Sequence, residues 1–199
     1  MIPLTHVVLA SNNRGKLIEL ERLLTDWPVT IQPQAVFGIK DVAEPHSSFI
    51  ENALSKARHA CRISGLAALA DDSGLCVPAL GGQPGVHSAR YAGVPRLDEA
   101  NNAKLLATLA TVTARQAYYY AVLVLMRHAE DPQPLIADGR VDGEILEAPR
   151  GQGGFGYDPL FFIPKLGKSV AELTLTEKAA ISHRGAALRE LLAKLKGSL

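Results

Sequence analysis

The sequence has almost no net charge, few cysteines and no long hydrophobic run. Its 21 Lys and Arg offset 20 Asp and Glu, for a net charge of +1, so it lacks the basic stripe that binds long nucleic acids. The two cysteines, Cys61 and Cys76, predict free thiols rather than a disulfide framework. Residues 1–10 lack a basic segment, and their apolar run of about four residues is too short for a signal peptide or a membrane span. We therefore expect a soluble cytoplasmic protein that binds neither long nucleic acid nor a membrane.

The remaining composition is that of a globular protein. The chain has 199 residues, of which 47% are hydrophobic, and a chain of this length buries roughly 70% of the surface that it exposes when unfolded. Its 12 prolines are scattered, and no repeat or low-complexity linker is present. These features predict a single domain over residues 1–199, or two small lobes.

Apolar spacing predicts helices and strands in alternation. A strand at 7–10 leads through a polar loop at 11–16 into a helix with Leu17, Leu20, Leu24 and Trp27 at helical spacing. Ser48 and Glu51 have the spacing of a capping box for a second helix. Further helices are predicted at 101–109 and from about residue 176, the last with a core face of Leu188, Leu191, Leu192 and Leu195.

The predicted strands indicate a mixed sheet. Runs at 117–126 and 135–146 flank a turn at 131–134 and predict a hairpin, and a buried strand is expected at 160–163. Residues 66–70 and 75–77 predict two strands, or one interrupted strand, with a break at 71–74. A hairpin requires an antiparallel pair, so we expect an α/β fold with a mixed central sheet flanked by helices.

The loop at 11–16 is a candidate phosphate site. It contains Ser11, Asn12, Asn13, Arg14, Gly15 and Lys16. Free backbone N–H groups and the helix dipole favour an anion where a strand leads into a helix, and Lys16 adds a charge. The Walker A pattern is absent, because Ala10 and Leu17 stand where it has its first Gly and its Ser/Thr. A loop of capping residues that binds no ligand explains the segment equally well.

Acidic residues provide a second candidate site. The adjacent carboxylates of Asp71 and Asp72 could share Mg²⁺ or activate a water, although Asp-Ser-Gly is also a common turn composition and a turn is the simpler explanation. Glu44 could supply another oxygen ligand, whereas Glu51 is explained by capping. Lys56 lies near the apolar stripe of its helix, either as a snorkelling lysine or as a phosphate ligand.

Two further segments could bind a planar base. Phe155, Gly156, Tyr157 and Asp158 combine an aromatic face with closely approaching backbone, although a turn with core aromatics fits as well. Lys178, His183 and Arg184 converge only if the helix breaks, because on one unbroken helix His183 points about 140° away from Lys178. Ser182 would then cap a new helix that begins at His183. A basic surface patch is the alternative.

Together these segments resemble the inosine/xanthosine triphosphate pyrophosphatase family, enzymes that hydrolyse non-standard purine nucleoside triphosphates. The resemblance covers almost the whole chain and is specific because many short motifs keep their order and spacing. The motifs are Ser-Asn-Asn-Arg-Gly-Lys at 11–16, Phe-Ile-Glu-Asn-Ala at 49–53, Lys-Ala at 56–57, Ala-Asp-Asp-Ser-Gly-Leu at 70–75, Leu-Gly-Gly at 80–82, Pro-Gly at 84–85, Ser-Ala-Arg-Tyr at 88–91, Gly-Gly-Phe-Gly-Tyr-Asp-Pro at 153–159, Ala-Glu-Leu at 171–173, and Lys178 with Ser-His-Arg-Gly at 182–185.

The resemblance implies an elongated α/β fold with two lobes around an active-site cleft, a homodimer, and Mg²⁺-dependent release of a nucleoside monophosphate and pyrophosphate. It assigns the metal to Glu44 and Asp72, with Asp72 also the catalytic base. Its substrate contacts fall on 11–16, Lys56 and Ser73, and its base contacts on 155–158, Lys178, His183 and Arg184.

Two positions depart from the family pattern. Many relatives carry a second acid before Glu44 and Thr-Gly after it, whereas this chain has Ala43 and Pro45-His46, so Glu44 has the weakest sequence support of the two metal ligands. His87 replaces a tyrosine that many relatives carry, a change that affects loop packing more than chemistry. Two other functions stay open from the residues alone: a pyrophosphatase that prefers pyrimidine or modified nucleotides, and a catalytically silent protein that binds nucleotides or RNA ends.

Overall fold

The strands and helices follow one another much as the sequence predicts. The computed structural model describes residues 4–25 and 27–197. The strands of this part of the chain are β1 (His6–Leu9), β2 (Thr30–Pro33), β3 (Ala67–Cys76), β4 (Gln116–Met126), β5 (Leu135–Ile145), β6 (Phe161–Ile163) and β7 (Lys168–Ser169). Its helices are α1 (Arg14–Leu23), α2 (Phe49–Ser64), α3 (Asp98–Thr108), α4 (Leu175–Ile181) and α5 (His183–Gly197).

The seven strands of the described residues form one mixed sheet in the order β2-β1-β3-β4-β5-β6-β7. Strand β1 runs parallel to β2 and β3, whereas β6 is antiparallel to β5 and β7. The predicted hairpin strands, β4 and β5, are neighbours in the sheet. The predicted α/β class with a mixed central sheet is therefore confirmed.

The chain divides into two compact units. Unit 1 contains Met1–Asp72, Ala121–Gly139 and Arg184–Leu199, and unit 2 contains Ser73–Tyr120 and Arg140–His183. The division falls within β3, β4 and β5 rather than at a linker. A single domain and a cleft between two lobes both stay predictions.

Each unit has its own hydrophobic core. In unit 1, α1 and α5 pack against β1, β3 and β4 through buried side chains that include Leu9, Leu20, Leu69, Leu123 and Leu188. The predicted core face of the last helix is confirmed, because Leu188 and Leu191 are buried and Leu192 and Leu195 pack against them. In unit 2, the core includes Leu75, Leu105, Leu109, Tyr157 and Phe161.

Local sequence sets the ends of α1 and α2. The side chain of Asn13 caps α1 by accepting from the Lys16 N–H, and Ser48 caps α2 by accepting from the Glu51 N–H. Helix α2 ends at Gly65, whose φ of 71° lies in the left-handed region that glycine adopts readily. The predicted N-cap at Ser48 is thus confirmed, and the Glu51 carboxylate accepts from the Ser48 hydroxyl at 2.5 Å.

Three features of the structure bear on the predicted boundaries: the course of β3, the end of α1 and the break between α4 and α5. Strand β3 continues unbroken through 71–74, so the predicted break is wrong, as is the simpler explanation of a turn. Helix α1 ends at Leu23, so Trp27 lies beyond the helix, although its side chain still packs against the core. The expected break in the last helix is present, because α4 ends at Ile181 and α5 begins at His183.

The described part of the chain contains no helix that is both long enough and apolar enough to span a membrane.

Candidate active site

The loop between β1 and α1 in unit 1 is ordered by its own polar side chains. Ser11 Oγ accepts from the Asn13 N–H at 3.2 Å, and Asn13 Oδ1 accepts from the Lys16 N–H at 3.2 Å. Asn12 Nδ2 donates to Asp41 Oδ1 at 3.0 Å. The first turn of α1 contains no acidic residue. Its positive end is therefore suited to an anion, and the predicted sequence of strand, polar loop and helix is confirmed.

Lys16 projects from this turn into a buried network of charges. Its ammonium lies 2.7 Å from Asp71 Oδ2, and Arg184 contacts the other oxygen of Asp71 at 3.3 Å and Glu19 Oε2 at 2.6 Å. Burial alone would raise the pKa of Asp71, but Lys16 and Arg184 outweigh burial and hold that pKa well below its usual range. Burial lowers the pKa of Lys16 in spite of Asp71. Asp71 is thus an ionised anchor that holds Lys16 at the helix terminus.

Lys56 forms salt bridges with both predicted metal ligands. Its Nζ lies 2.9 Å from Glu44 Oε1 and 2.8 Å from Asp72 Oδ1. Glu44 therefore reaches Asp72's neighbourhood in spite of the unusual residues that flank it. Although burial lowers the pKa of Lys56, Asp72 and Glu44 raise it overall. The pKa of Asp72 is raised by burial, which the two nearby lysines only partly offset.

Glu44 and Asp72 are a suitable donor set for a divalent cation. Both carboxylates already lie within hydrogen-bond distance of a single positive charge, and carboxylate oxygens are the ligands that Mg²⁺ prefers. No group of three or more His, Cys, Asp or Glu side chains arranged to hold a metal occurs in residues 4–25 and 27–197. Mg²⁺ that binds with a nucleotide commonly takes one or two carboxylates and completes its coordination with phosphates and waters. The residues present therefore fit this ion.

In unit 2, Asp158 organises the predicted base-binding residues. Its carboxylate accepts from Lys178 Nζ at 2.7 Å, the Phe155 N–H at 3.0 Å and the Tyr119 hydroxyl at 3.2 Å. A Cβ atom on Gly154, which has a φ of 76°, would collide with this carboxylate. Glycine is therefore required where the backbone passes Asp158.

Lys178, Phe155 and His183 form an aromatic and cationic cluster in which His183 is buried. The Lys178 ammonium lies 4.7 Å from the centroid of the Phe155 ring, and the His183 ring stacks on Tyr119 with centroids 4.9 Å apart. A cavity of about 20 Å³ is lined in part by Tyr119, Asp158, Lys178 and His183, a volume that holds about one water. These polar groups thus meet at one place in unit 2.

The structure gives different positions to the other predicted base contacts. Tyr157 is buried, its hydroxyl donates to Ser88 O at 2.9 Å, and burial raises its pKa. The Gly156 N–H donates to Asp98, and its carbonyl accepts from Asn102. Both residues therefore attach their loop to the rest of unit 2.

Arg184 forms ion pairs within unit 1. Its guanidinium, which would donate to a base, is engaged by Glu19 and Asp71 in unit 1. Within unit 1, Arg184 therefore belongs to the network of Lys16 and Asp71, and its predicted contact with the base stays a prediction. Ser73 is half-buried and directly follows Asp72 on β3.

Several residues that contact the predicted site residues do not stand out in the sequence. Glu19, Asn52 and Tyr119 lie in ordinary helix or strand patterns, and their partners are distant in sequence: Arg184, Asp72 and Asp158. The identity of Asn52 and its place in the Phe-Ile-Glu-Asn-Ala motif is the one signal that points to any of them.

The fold and these two sets of residues define a class: an α/β protein with an anion-binding helix terminus, paired carboxylates and an aromatic surface lined by basic groups. The family model of the Ham1 family matches residues 7–194, and the chain belongs to that family. The resemblance found in the sequence motifs is therefore confirmed.

Known relatives match along nearly the whole chain. A dITP/XTP pyrophosphatase from Aromatoleum aromaticum is 58% identical over 189 residues, which cover 95% of this chain and 96% of that protein. A protein of the same name from Ralstonia nicotianae is 56% identical over 193 residues and covers 96% of each chain. The solved structure of a HAM1 protein from Coxiella burnetii, 47% identical, superposes with a TM-score of 0.90 over 97% of this chain and 99% of that one.

Proposed function

We propose that this protein hydrolyses the non-standard purine nucleoside triphosphates ITP, dITP and XTP to the nucleoside monophosphate and pyrophosphate. The observation that carries the proposal is the pair of carboxylates, half-buried Glu44 and buried Asp72, held around one lysine ammonium. Membership of a family whose curated relatives are named dITP/XTP pyrophosphatases supports the choice of substrate.

Unit 1 binds the triphosphate. The N–H groups of the first turn of α1, together with Lys16, offer a positive site for a phosphate. Lys56 uses two of its three N–H donors on Glu44 and Asp72, so one donor is available to a phosphate oxygen. Arg184 acts indirectly here, because it helps Asp71 to hold Lys16. The family resemblance also assigns a substrate contact to Ser73, which directly follows Asp72 on β3.

Glu44 and Asp72 would hold Mg²⁺, and the bound ion would neutralise charge on the triphosphate and on the departing pyrophosphate. Asp72 accepts a proton from the attacking water, and its burial makes it a stronger base than an exposed carboxylate. A bond forms between the water oxygen and the α-phosphorus, and the bond from that phosphorus to the bridging oxygen breaks. Lys16 and Lys56 stabilise the charge that develops on the phosphate oxygens.

Unit 2 binds the base. Phe155 provides an aromatic ring for a purine, and the Lys178 ammonium, which lies over that ring, provides hydrogen-bond donors. Inosine and xanthine present a keto oxygen where adenine presents an amino group. A donor such as Lys178 or His183 pairs with the keto oxygen, whereas adenine leaves two donors facing each other. We therefore expect this surface to favour the non-standard purines over adenine.

We further propose that the protein acts as a homodimer in the cytoplasm. The resemblance to the family supports the dimer, and the two buried free thiols of Cys61 and Cys76 are typical of a reducing compartment. Light scattering coupled to size exclusion tests the dimer directly, because a monomeric mass at micromolar concentration contradicts it.

The test of the function is a panel of nucleoside triphosphates with pyrophosphate and orthophosphate measured separately. We expect pyrophosphate as the product, kcat/KM for ITP and XTP at least about a hundredfold above that for ATP, and complete loss of activity in EDTA. Orthophosphate as the product, equal kcat/KM for ATP and ITP, or full activity after exhaustive chelation would each contradict the proposal.

A further inference from the structure

Asn52 is a buried side chain that connects the loop of Glu44 to Asp72. It lies in the first turns of α2 and is 1% exposed. Its Nδ2 donates to His46 O at 3.2 Å and to Asp72 Oδ2 at 3.3 Å, and its Oδ1 accepts from the His46 N–H at 3.2 Å. One amide thus contacts two segments that carry the candidate metal ligands.

The main chain of His46 fixes which way this amide points. Its N–H requires an acceptor and its carbonyl requires a donor, so Oδ1 and Nδ2 of Asn52 have only one compatible orientation. The second N–H of the amide then faces Asp72. Asp72 therefore receives Asn52 on Oδ2 and Lys56 on Oδ1, and both of its oxygens are oriented.

The same contacts fix the position of Glu44. His46 lies two residues after Glu44 and two before the cap of α2 at Ser48. Asn52 binds only the main chain of His46, so the contact does not depend on the side chain at that position. The His46 ring also contacts Ser55 Oγ at 3.2 Å, so the segment that follows Glu44 is attached to α2 at two points.

Asn101 in unit 2 provides an internal comparison. It is 2% exposed, its Oδ1 accepts from the Ala92 N–H at 2.7 Å, and its Nδ2 donates to Ala89 O at 3.3 Å. Asn101 thus holds a loop by two main-chain bonds, as Asn52 does, but its side-chain bonds within the described residues do not reach a carboxylate. The contact with Asp72 is what distinguishes Asn52.

We propose that Asn52 is a positioning residue for the hydrolysis: it sets the orientation of Asp72 relative to the loop of Glu44, so that the two carboxylates bind one divalent cation. The inference rests on the proposed function. Groups that orient metal ligands typically contribute about ten- to a hundredfold to metal affinity or activity. Because Asn52 contacts a carboxylate and the main chain, we expect its loss to affect the metal and kcat more than the KM for the nucleotide.

The test compares Asn52→Ala with Asn101→Ala in the full chain. Three quantities are measured: the Kd for Mn²⁺ from the electron paramagnetic resonance signal of the free ion, kcat and KM for ITP at saturating Mg²⁺, and Tm. Each variant loses two main-chain bonds from a buried amide, so both should lower Tm to a similar degree. Only Asn52→Ala should weaken Mn²⁺ binding and lower kcat, each by about ten- to a hundredfold.

A purely structural role of Asn52 predicts no difference between the two variants in Mn²⁺ binding or in kcat. If Asn52→Ala binds Mn²⁺ within about twofold of the unmodified protein and loses no more kcat than Asn101→Ala, Asn52 only stabilises the fold and the inference is wrong. If the alanine variants do not fold, Asn52→Ser and Asn101→Ser serve as the matched pair, because a hydroxyl and a water can fill part of the space. If the unmodified protein binds Mn²⁺ but does not hydrolyse ITP, the proposed function fails, whereas the Mn²⁺ comparison still decides the role of Asn52.

Discussion

Two buried aspartates in unit 1 should respond in opposite ways when each is replaced by asparagine. Asp72 is 5% exposed and its pKa is raised by burial. The Asp131 side chain is fully buried, yet hydrogen bonds from Arg127 hold its pKa well below the usual range. A raised pKa means that the fold disfavours the ionised form, and a lowered pKa means that the fold favours it. The charge of Asp72 therefore costs stability, whereas the charge of Asp131 contributes stability.

The expected magnitudes follow from the contacts of each carboxylate. Asp72→Asn removes a metal ligand and a proton acceptor, so kcat should fall by at least about a hundredfold. Its Tm should change less than that of Asp131→Asn, because removing the buried charge favours folding, whereas one of the two oxygens that accept from Asn52 and Lys56 becomes an amide nitrogen. Asp131 accepts four hydrogen bonds, three from Arg127 and one from the Gln133 N–H. Water screens the Arg127 guanidinium, whose side chain is 41% exposed. We therefore expect Asp131→Asn to lower the free energy of unfolding by only about 1.5 kcal/mol. For a chain of this length that loss lowers Tm by about 3–6 °C, with kcat retained.

Calorimetry and initial rates on the two variants check this reasoning together. The lowered pKa of Asp131 adds a pH test, because its contribution is complete above the unfolded pKa near about 4 and is lost as the pH falls through the folded value. The Tm difference between Asp131→Asn and the unmodified protein should therefore shrink in acid. Near-normal kcat in Asp72→Asn would show that Asp72 is neither base nor ligand. An equal loss of kcat in Asp131→Asn would show that the loss comes from the fold.

Three further results are expected. Glu44→Gln should raise the Mg²⁺ concentration needed for half-maximal rate, and an unchanged titration would remove Glu44 from the site. Lys178→Ala should reduce the preference for ITP over ATP. The control Lys168→Ala removes a lysine that is 44% exposed and paired with Glu177, and it should leave that preference unchanged. Equal ratios of kcat/KM for ITP and ATP in the two variants would contradict the role of Lys178. Burial raises the pKa of the Cys61 thiol to about 11 from 9.0. A disulfide reagent should therefore modify Cys61 about a hundredfold more slowly than a free thiol near pH 8. Rapid modification of the native protein would contradict this burial.

Sequence alone predicts those parts of the site that depend on neighbouring residues. The polar loop at 11–16 and the cap at Ser48 follow from spacing of three or four residues, and the break at Ser182 follows from the need to bring Lys178 and His183 together. Each involves short-range hydrogen bonds that local composition encodes. The structure confirms the position of each element, and the binding roles stay predictions.

The parts that sequence misses depend on partners far along the chain. Asp-Asp-Ser-Gly has the composition of a turn, but the segment continues as a strand because it lies within the sheet and its carboxylates meet Lys16 and Lys56. Arg184 is separated from Glu19 by 165 residues. No local pattern predicts such a pair, so the ion pairs of Arg184 with Glu19 and Asp71 emerge only from the structure.

The opposite environments of Asp71 and Asp72 explain why adjacent carboxylates can have different roles. Successive side chains of a strand point to opposite faces of the sheet, and the two residues accordingly have different direct partners. Asp71 contacts Lys16 and Arg184, which lower its pKa and keep it ionised as an anchor. Asp72 contacts Lys56 and Asn52, and burial raises its pKa. Where two titratable groups have pKa values shifted apart, the group with the raised value suits proton transfer. We therefore expect the catalytic role to belong to Asp72 and Asp71 to serve the proposed phosphate site through Lys16.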